Sequence, residues 1–393
     1  MATGSGDSST DYPAEIERML PQPKAVEYHG SHVTLGPRAL IATTASADEP
    51  AVSQLASHLS EWGVTEGEDP VQVVSPEGIR DTPFLFVVDT RDATPAVDEY
   101  LDELDATISW GDLGDEGYTL QIGRGADDQK TAVLSGSTWD GIYNAVQTLR
   151  QIVTAESNQH WVPTVSVDDY PAPYPYRGVI EGFYGPPWSH EQRLSIIDSL
   201  GDYKLNTYIY APKDDPYHRA KWREPYPSDR KREIGELADA ADRNHVEFMF
   251  SISPGVDIAY SSDEDFQALV AKTEEIRDVG ADTFGLLLDD IVTELEGQDA
   301  ERFDSPAEAQ AYLINRYDDH LKSKDSGHWL YVVPTDYYQA GSTDYRETLA
   351  NQVHDDVIMG WTGVGVTDPE ITNEEAARVR DVFDHELLTW GLC

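Results

Sequence analysis

The sequence predicts an α/β protein: a (β/α)8 barrel of the TIM type that lacks its eighth strand, preceded by a small α+β domain. Three observations carry this expectation. From residue 177 onward short apolar strands alternate with helices whose start signals are legible. Those strands are apolar on both faces, as in a parallel sheet covered by helices. Unusual polar and aromatic segments follow one strand after another, where a barrel keeps its chemistry.

In chain order, residues 1–13 are small and polar and are expected to be disordered. Residues 14–167 mix strands with helices: ALIATT at 39–44, a helix around Val52, Leu55 and Leu59, then VQVV, FLFVVD, YTLQIG and KTAVLSG. The last two read as a hairpin-like pair, followed by a helix from Thr138 to about Val153 with Ile142, Ala145, Val146, Leu149 and Ile152 on one stripe. Nothing in this domain points to catalysis. DDYPAPYPY, 168–176, holds three prolines in nine positions and reads as a linker.

Seven strands are expected in the barrel, 177–393: GVIEGF (178–183), NTYIYA (206–211), EFMFSIS (247–253), TFGLLLDD (283–290), WLYVVPT (329–335), VIMGWT (357–362) and ELLTW (386–390). Ser189-His190-Glu191-Gln192, Ser305-Pro306-Ala307-Glu308 and Thr372-Asn373-Glu374-Glu375 fit the capping box that opens a helix.

Composition narrows the function. The chain has 73 Asp+Glu against 28 Lys+Arg, a formal charge of -45 over 393 residues. Acidity spread along the whole chain reads as a solvation device. In molar salt the Debye length falls to about 3 Å and screens the self-repulsion, so a halophilic host is inferred. Without a basic stripe, nucleic acid is not an expected partner. Cys393 is the single cysteine, and the eleven His lack an HExxH or HxH spacing, so neither a metal nor another cofactor is expected. The N-terminus lacks a signal peptide's basic and apolar regions and no apolar run reaches 18 residues, which predicts a soluble cytoplasmic protein with no membrane partner.

Asp-Asp occurs six times, yet only Asp289-Asp290 follows four consecutive apolar residues of a strand, in FGLLLDDI. Neighbouring strand positions face opposite ways, so the two acids should do different jobs. Two carboxylates there could also take Mg²⁺ or Ca²⁺, with Glu181, Asp214, Asp257 and Asp336 as further oxygen donors. The preceding loop, KDDPYHRAKWREPYPSDRKR at 213–232, holds seven of the 28 Lys+Arg. Most read as members of a salt-bridged loop, but Lys213 follows its strand directly and should point into the barrel mouth. Aromatics crowd the same loops: Phe183, Tyr184, Trp188, Tyr208, Tyr210, Tyr217, Trp222 and Tyr226. About half are expected to be packing; the others suit a carbohydrate, whose C–H faces stack on rings.

YRGVIEGFYGPPWSHEQRL, KLNTYIYAPKDDPYHRAKWREPYP, FSISPGVDI, LLLDDI, VVPTDY and WTGVGVTDPEIT resemble, in this order, the catalytic domain of glycoside hydrolase family 84, over about residues 160–390. That is the family of protein O-GlcNAcases and bacterial β-N-acetylglucosaminidases. Residues before it resemble the small α+β domain that precedes the barrel in bacterial hexosaminidases of this type. The resemblance implies release of terminal β-linked N-acetylglucosamine by a retaining, substrate-assisted reaction, in which the acetamido oxygen attacks the anomeric carbon and forms an oxazoline. It implies that Asp289 takes the acetamido N–H and that Asp290 is general acid and base. Gly182 and Lys213 would meet sugar hydroxyls, and Tyr337 and Trp390 would line the acetamido pocket. Phe183, Tyr184 and Thr362 would be supporting wall.

The family's further sugar ligands and eighth strand have no counterpart after Trp390, which is followed by Gly391-Leu392-Cys393. A truncated or frameshifted gene product is the expected reason; an open barrel completed by another chain and a protein that has lost catalysis are the alternatives. Strands one and seven would then have open edges that invite self-association. Two other functions fit the same residues: a non-catalytic N-acetylhexosamine-binding protein on a degraded barrel, and an enzyme cutting within a longer glycan.

Overall fold

The structure is a computed structural model, and it describes residues 12–64, 71–77, 79, 82–108, 110, 113–156, 159–170 and 174–391. Expectations placed on residues 1–11, on 171–173 of the linker and on Cys393 lie outside these. The chain divides into two compact units, one of residues 1–175 with 201–204, the other of 176–200 with 205–393.

The N-terminal unit contains α1 (Ala14–Glu17), β1 (Ala25–Leu35), β2 (Ala39–Ala42), α2 (Pro50–Glu61), β3 (Val71–Val74), β4 (Leu85–Thr90), α3 (Pro95–Glu103), β5 (Tyr118–Arg124), β6 (Lys130–Gly136), α4 (Trp139–Ile152), β7 (Thr154–Glu156) and β8 (Gln159–Asp169). Its sheet runs β1-β8-β5-β6-β4-β2-β3, with β7 paired to β8. Strand alternation splits the apolar residues between two faces. Ile41, Phe86, Val88, Leu120 and Leu134 join the core with residues of α2 and α4, such as Val52, Leu55, Ile142 and Val146. On the opposite face Ala42, Leu85, Val87 and Val133 meet Val97, Tyr100 and Leu101 of α3. The long strands β1 and β8 and helix α3 were not expected from the sequence pattern. HVTL and VPTVSV lack the continuous apolar runs that made the other strands visible.

The second unit is a curled, all-parallel sheet of β9 (Gly178–Glu181), β10 (Thr207–Tyr210), β11 (Glu247–Ile252), β12 (Thr283–Leu287), β13 (Leu330–Val333), β14 (Ile358–Trp361) and β15 (Leu387–Thr389). They pair strictly in chain order, each with its neighbour, so six consecutive β/α units and a seventh strand build a TIM-like barrel wall among the described residues. Between them lie α5 (His190–Asp202), α6 (Ser228–Arg243), α7 (Asp263–Arg277), α8 (Gly297–Arg302), α9 (Pro306–Lys324), α10 (Asp344–Gln352) and α11 (Asn373–Phe383). Thr372 and Glu375 close a reciprocal capping box on α11. Ser189 and Gln192 exchange the same two bonds at the start of α5.

Burial on both faces explains the near-continuous apolar strands. Tyr208, Phe248, Phe250, Phe284, Leu286 and Leu288 pack against the helices, whereas Ile209, Met249, Leu287, Tyr331 and Val333 form a second cluster on the other face. Gly285 lets two strands approach there, since a Cβ at its position would lie 2.5 Å from Ser251 Oγ. Among the described residues β9 and β15 are the sheet's two edges. A cavity of about 420 Å³ is lined by residues of both, including Ile180, Gly182, Trp188, Leu388 and Trp390. No helix among the described residues is long and apolar enough to cross a membrane.

Candidate active site

Every strand hands its chain to a loop on the same side of the sheet, as parallel order requires, and the polar segments singled out in the sequence gather there. β12 ends at Leu287, so Leu288, Asp289 and Asp290 lie past the strand proper. Leu288 still donates its N–H to Val333 O (2.8 Å), and Thr335 Oγ1 donates to Leu288 O (2.9 Å), which fixes the exit of the chain. The two acids differ sharply. Asp289 is buried, while Asp290 is exposed and turns the backbone with φ +54°, in the left-handed region that aspartate tolerates better than most residues. The unlike settings expected from strand alternation are therefore present, but a left-handed turn produces part of the difference.

Lys213, three residues past β10, donates to both oxygens of Asp289 at 2.7 Å. Both side chains are almost wholly buried. Burial pulls the Lys213 pKa down, and the Asp289 charge opposes that pull. Each partner thus makes the other's burial tolerable. Asp290 accepts Tyr337 Oη on Oδ1 (3.2 Å) and Tyr184 Oη on Oδ2 (3.1 Å). Burial raises the Tyr337 phenol well above its usual pKa, and the charge of Asp290 adds to the rise, so the phenol keeps its proton as donor.

The loop bearing Tyr337 is held by Arg346 of α10. This buried guanidinium donates to the carbonyls of Asp336 (2.9 Å), Gln339 (3.0 Å) and Gly341 (2.8 Å), and also to Tyr338 O. Thr362, itself buried after β14, donates its N–H to Tyr337 O (3.0 Å). Arg346 was missed in the sequence reading because its role is tertiary; a lone arginine in a polar helix carries no pattern that marks it.

Gly182 and Trp390 meet across the sheet edges: a Cβ on Gly182 would lie 3.2 Å from Ile180 Cγ1 and 3.5 Å from Trp390 Cη2. Both line the 420 Å³ cavity, whose lining does not include the two acids. Of the sequence-predicted site residues, hydrogen bonds join Lys213 with Asp289, Asp290 with Tyr337, and Tyr337 with Thr362. Gly182 is tied in through Phe183, whose carbonyl accepts Lys213 N–H at 3.2 Å.

The other acids named as cation ligands are already engaged. Glu181 accepts Arg193 on both oxygens (2.7 and 2.9 Å), along with Tyr208 Oη and Trp188 N–H. Asp257 takes Trp222 Nε1 and Arg223, Asp214 takes Gly185 N–H, and Asp336 takes Thr343 Oγ1. Among the described residues no three His, Cys, Asp or Glu side chains gather as a metal would need. The basic segment is mostly paired, and its end is helix, not loop: Arg223 pairs with Asp257 and Asp265, while within α6 Arg230 pairs with Glu233 and Arg232 with Glu236. Among its aromatics Tyr208, Tyr210, Trp222 and Tyr226 are buried packing, whereas Tyr184 stands 57% exposed at the mouth.

Residues 177–391 match the model of the β-N-acetylglucosaminidase family. The chain belongs to that family, glycoside hydrolase family 84. Residues 17–170 match domain 2 of glycosyl hydrolase family 20. The family-84 chain is similar to the protein O-GlcNAcases of Rattus norvegicus and Mus musculus, each 33% identical over 219 residues, which is 54% of this chain and 24% of the relative. It thus spans about a quarter of the length of these curated relatives. Among solved structures, CpGH84B is 31% identical with a TM-score of 0.78, covering 95% of this chain and 61% of that one. A variant of the O-GlcNAc hydrolase of Thermobaculum terrenum is 33% identical with a TM-score of 0.54, covering 56% and 47%.

Proposed function

We propose that this family-84 chain hydrolyses terminal β-linked N-acetylglucosamine with retention, using the substrate's acetamido group as nucleophile. The observation that carries the reading is the inequivalence of two adjacent carboxylates, one buried and held by Lys213, the other exposed and hydrogen-bonded by two tyrosines. In the first step the acetamido oxygen forms a bond to the anomeric carbon while the glycosidic bond breaks. Asp290 gives its proton to the departing oxygen, and the oxazoline intermediate remains. In the second step Asp290, now a carboxylate, takes a proton from water as that water attacks the anomeric carbon and the ring opens.

Asp289 accepts the acetamido N–H and stabilises the positive charge that grows on nitrogen. A carboxylate has about four lone-pair sites, so the Lys213 contacts leave room for it. Lys213 has three N–H donors, and two go to Asp289; the third is assigned to a sugar hydroxyl. Gly182 meets another hydroxyl through its backbone, Tyr337 and Trp390 flank the acetamido group, and Thr362 supports Tyr337. The family relatives' names, protein O-GlcNAcase and O-GlcNAc hydrolase, agree with this substrate class.

An aryl β-N-acetylglucosaminide assayed in molar salt tests the reading. Asp290→Ala should lower kcat about 10²–10⁴-fold, the usual contribution of a positioned acid–base group. Progressive fluorination of the acetamido methyl should slow the wild type, because it weakens the carbonyl oxygen as nucleophile. Binding of the sugar without turnover that depends on Asp290 would leave the non-catalytic binding protein as the better description.

A further inference from the structure

Arg219 stands apart in the basic loop. Its neighbours Arg223, Arg230 and Arg232 have carboxylate partners, but among the described residues no carboxylate lies within ion-pair distance of Arg219. In a chain with 73 Asp+Glu this is unusual. Instead the half-buried guanidinium donates Nη2–H to the backbone carbonyl of Asp290 (2.9 Å) and Nη1–H to Tyr184 Oη (2.7 Å). It also lies over the Tyr184 ring, 5.5 Å from the centroid.

We propose that Arg219 is a positioning residue for proton transfer, holding Asp290 from both ends: its backbone turn directly and its carboxylate through Tyr184. The inference rests on the acid–base role given to Asp290 above. A guanidinium has only N–H donors, so Tyr184 Oη must be the acceptor in that contact. The phenol's single proton is then left for Asp290 Oδ2, 3.1 Å away. Arg219 therefore sets the direction of the Tyr184 hydroxyl as well as its place. The second bond, to the carbonyl of a residue with φ +54°, stabilises a backbone conformation that an L-residue otherwise leaves readily. Tyr184 is exposed and would wander without its clamp, whereas Tyr337, on the other carboxylate oxygen, is already buried. A lysine ammonium is a compact point charge and lacks the planar fork that reaches both acceptors.

The test uses aryl β-N-acetylglucosaminides whose phenol leaving groups run from strongly to weakly acidic, since only poor leaving groups need the acid's proton. For Arg219→Gln, kcat/KM should fall about 10²-fold with the poorest leaving group, the loss expected when a reacting group is misplaced by roughly 1 Å, and should scarcely change with the best. Arg219→Lys should not restore the rate. Tyr184→Phe should show the same leaving-group dependence, and the double variant should be no worse than the poorer single one, because both act through one carboxylate. Melting curves establish that each variant is folded, and Tyr184→Phe tests the same link should Arg219→Gln not fold. A loss uniform across the series, or none, overturns the role of Arg219 and leaves the function intact. If Asp290→Ala is itself insensitive to the leaving group, the acid–base reading fails and this inference fails with it.

Discussion

Asp168-Asp169 and Asp289-Asp290 are the same dipeptide at the ends of two strands, yet they live in different chemistry. Asp168 and Asp169 remain inside β8, paired antiparallel with β5 and, at Asp168, with β1. Their side chains are consumed by structure: Asp169 accepts Lys24 N–H (3.1 Å), Tyr118 Oη (3.1 Å) and the buried Lys204 ammonium (3.3 Å), and Asp168 accepts Gln121 Nε2 (3.4 Å). Asp289 and Asp290 lie beyond the last paired residue of β12, where a parallel strand must leave the sheet to enter a crossover. There one acid turns inward to Lys213, and the other is swung outward by a left-handed turn. Strand termination, more than the pair itself, lets the two carboxylates take unlike surroundings.

That contrast can be broken at several points. The largest effect should come from neutralising the buried member of each pair. Asp289→Asn should lower kcat about 10²–10³-fold, the cost of losing a preorganised charge at the reacting group. Asp169→Asn should leave kcat/KM unchanged while lowering unfolding free energy by about 3–5 kcal/mol, because the buried Lys204 ammonium, 3.3 Å away, loses its counter-charge. Activity lost equally in both would erase the distinction. Lys213→Met comes next: an unpaired buried Asp289 should cost about 3–5 kcal/mol in a denaturant titration at molar salt. A variant as stable as the wild type would show that the pair does not hold the site together.

A further contrast separates the two regions by pH. Burial, helped by the charge of Lys213, pushes the His218 imidazole down to about 3. Its unfolded value is about 6.5, so the unfolded chain takes up a proton first and stability falls as pH drops from there toward the folded value, each unit of depression being worth about 1.4 kcal/mol. Burial shifts Asp168 the opposite way, upward. The folded state then holds its proton longer, and that contribution is lost as pH rises through the raised value. His218→Asn should flatten the acid side of a melting-temperature profile, and Asp168→Asn should act with the contrary sign. Equal slopes in all three proteins would refute the assignment.

Much of this was legible in the sequence. The barrel strands announced themselves as apolar runs because both faces are buried, and Asp289-Asp290 was marked by the run before it. Lys213 was legible for the same reason, standing directly after a strand. β1 and β8 were not, since a half-polar antiparallel strand has no continuous apolar signal. Arg346 and Arg219 were equally hidden: one is an arginine in a polar helix, the other one of seven cations in the stretch 213–232. Their partners are carbonyls and a phenol contributed by segments far along the chain or by a neighbouring loop.

Periodicity, charge and motif are local properties, and they sufficed to show the alternation of strand and helix, the acidic character and the family. Folding decided which acid is buried, which cation of the basic segment has no carboxylate within ion-pair distance among the described residues, and which hydroxyl points at which oxygen. Those outcomes depend on which atoms lie within about 3 Å after folding, and residues 184, 219, 290 and 337 come within that distance of one another only when the strand ends converge.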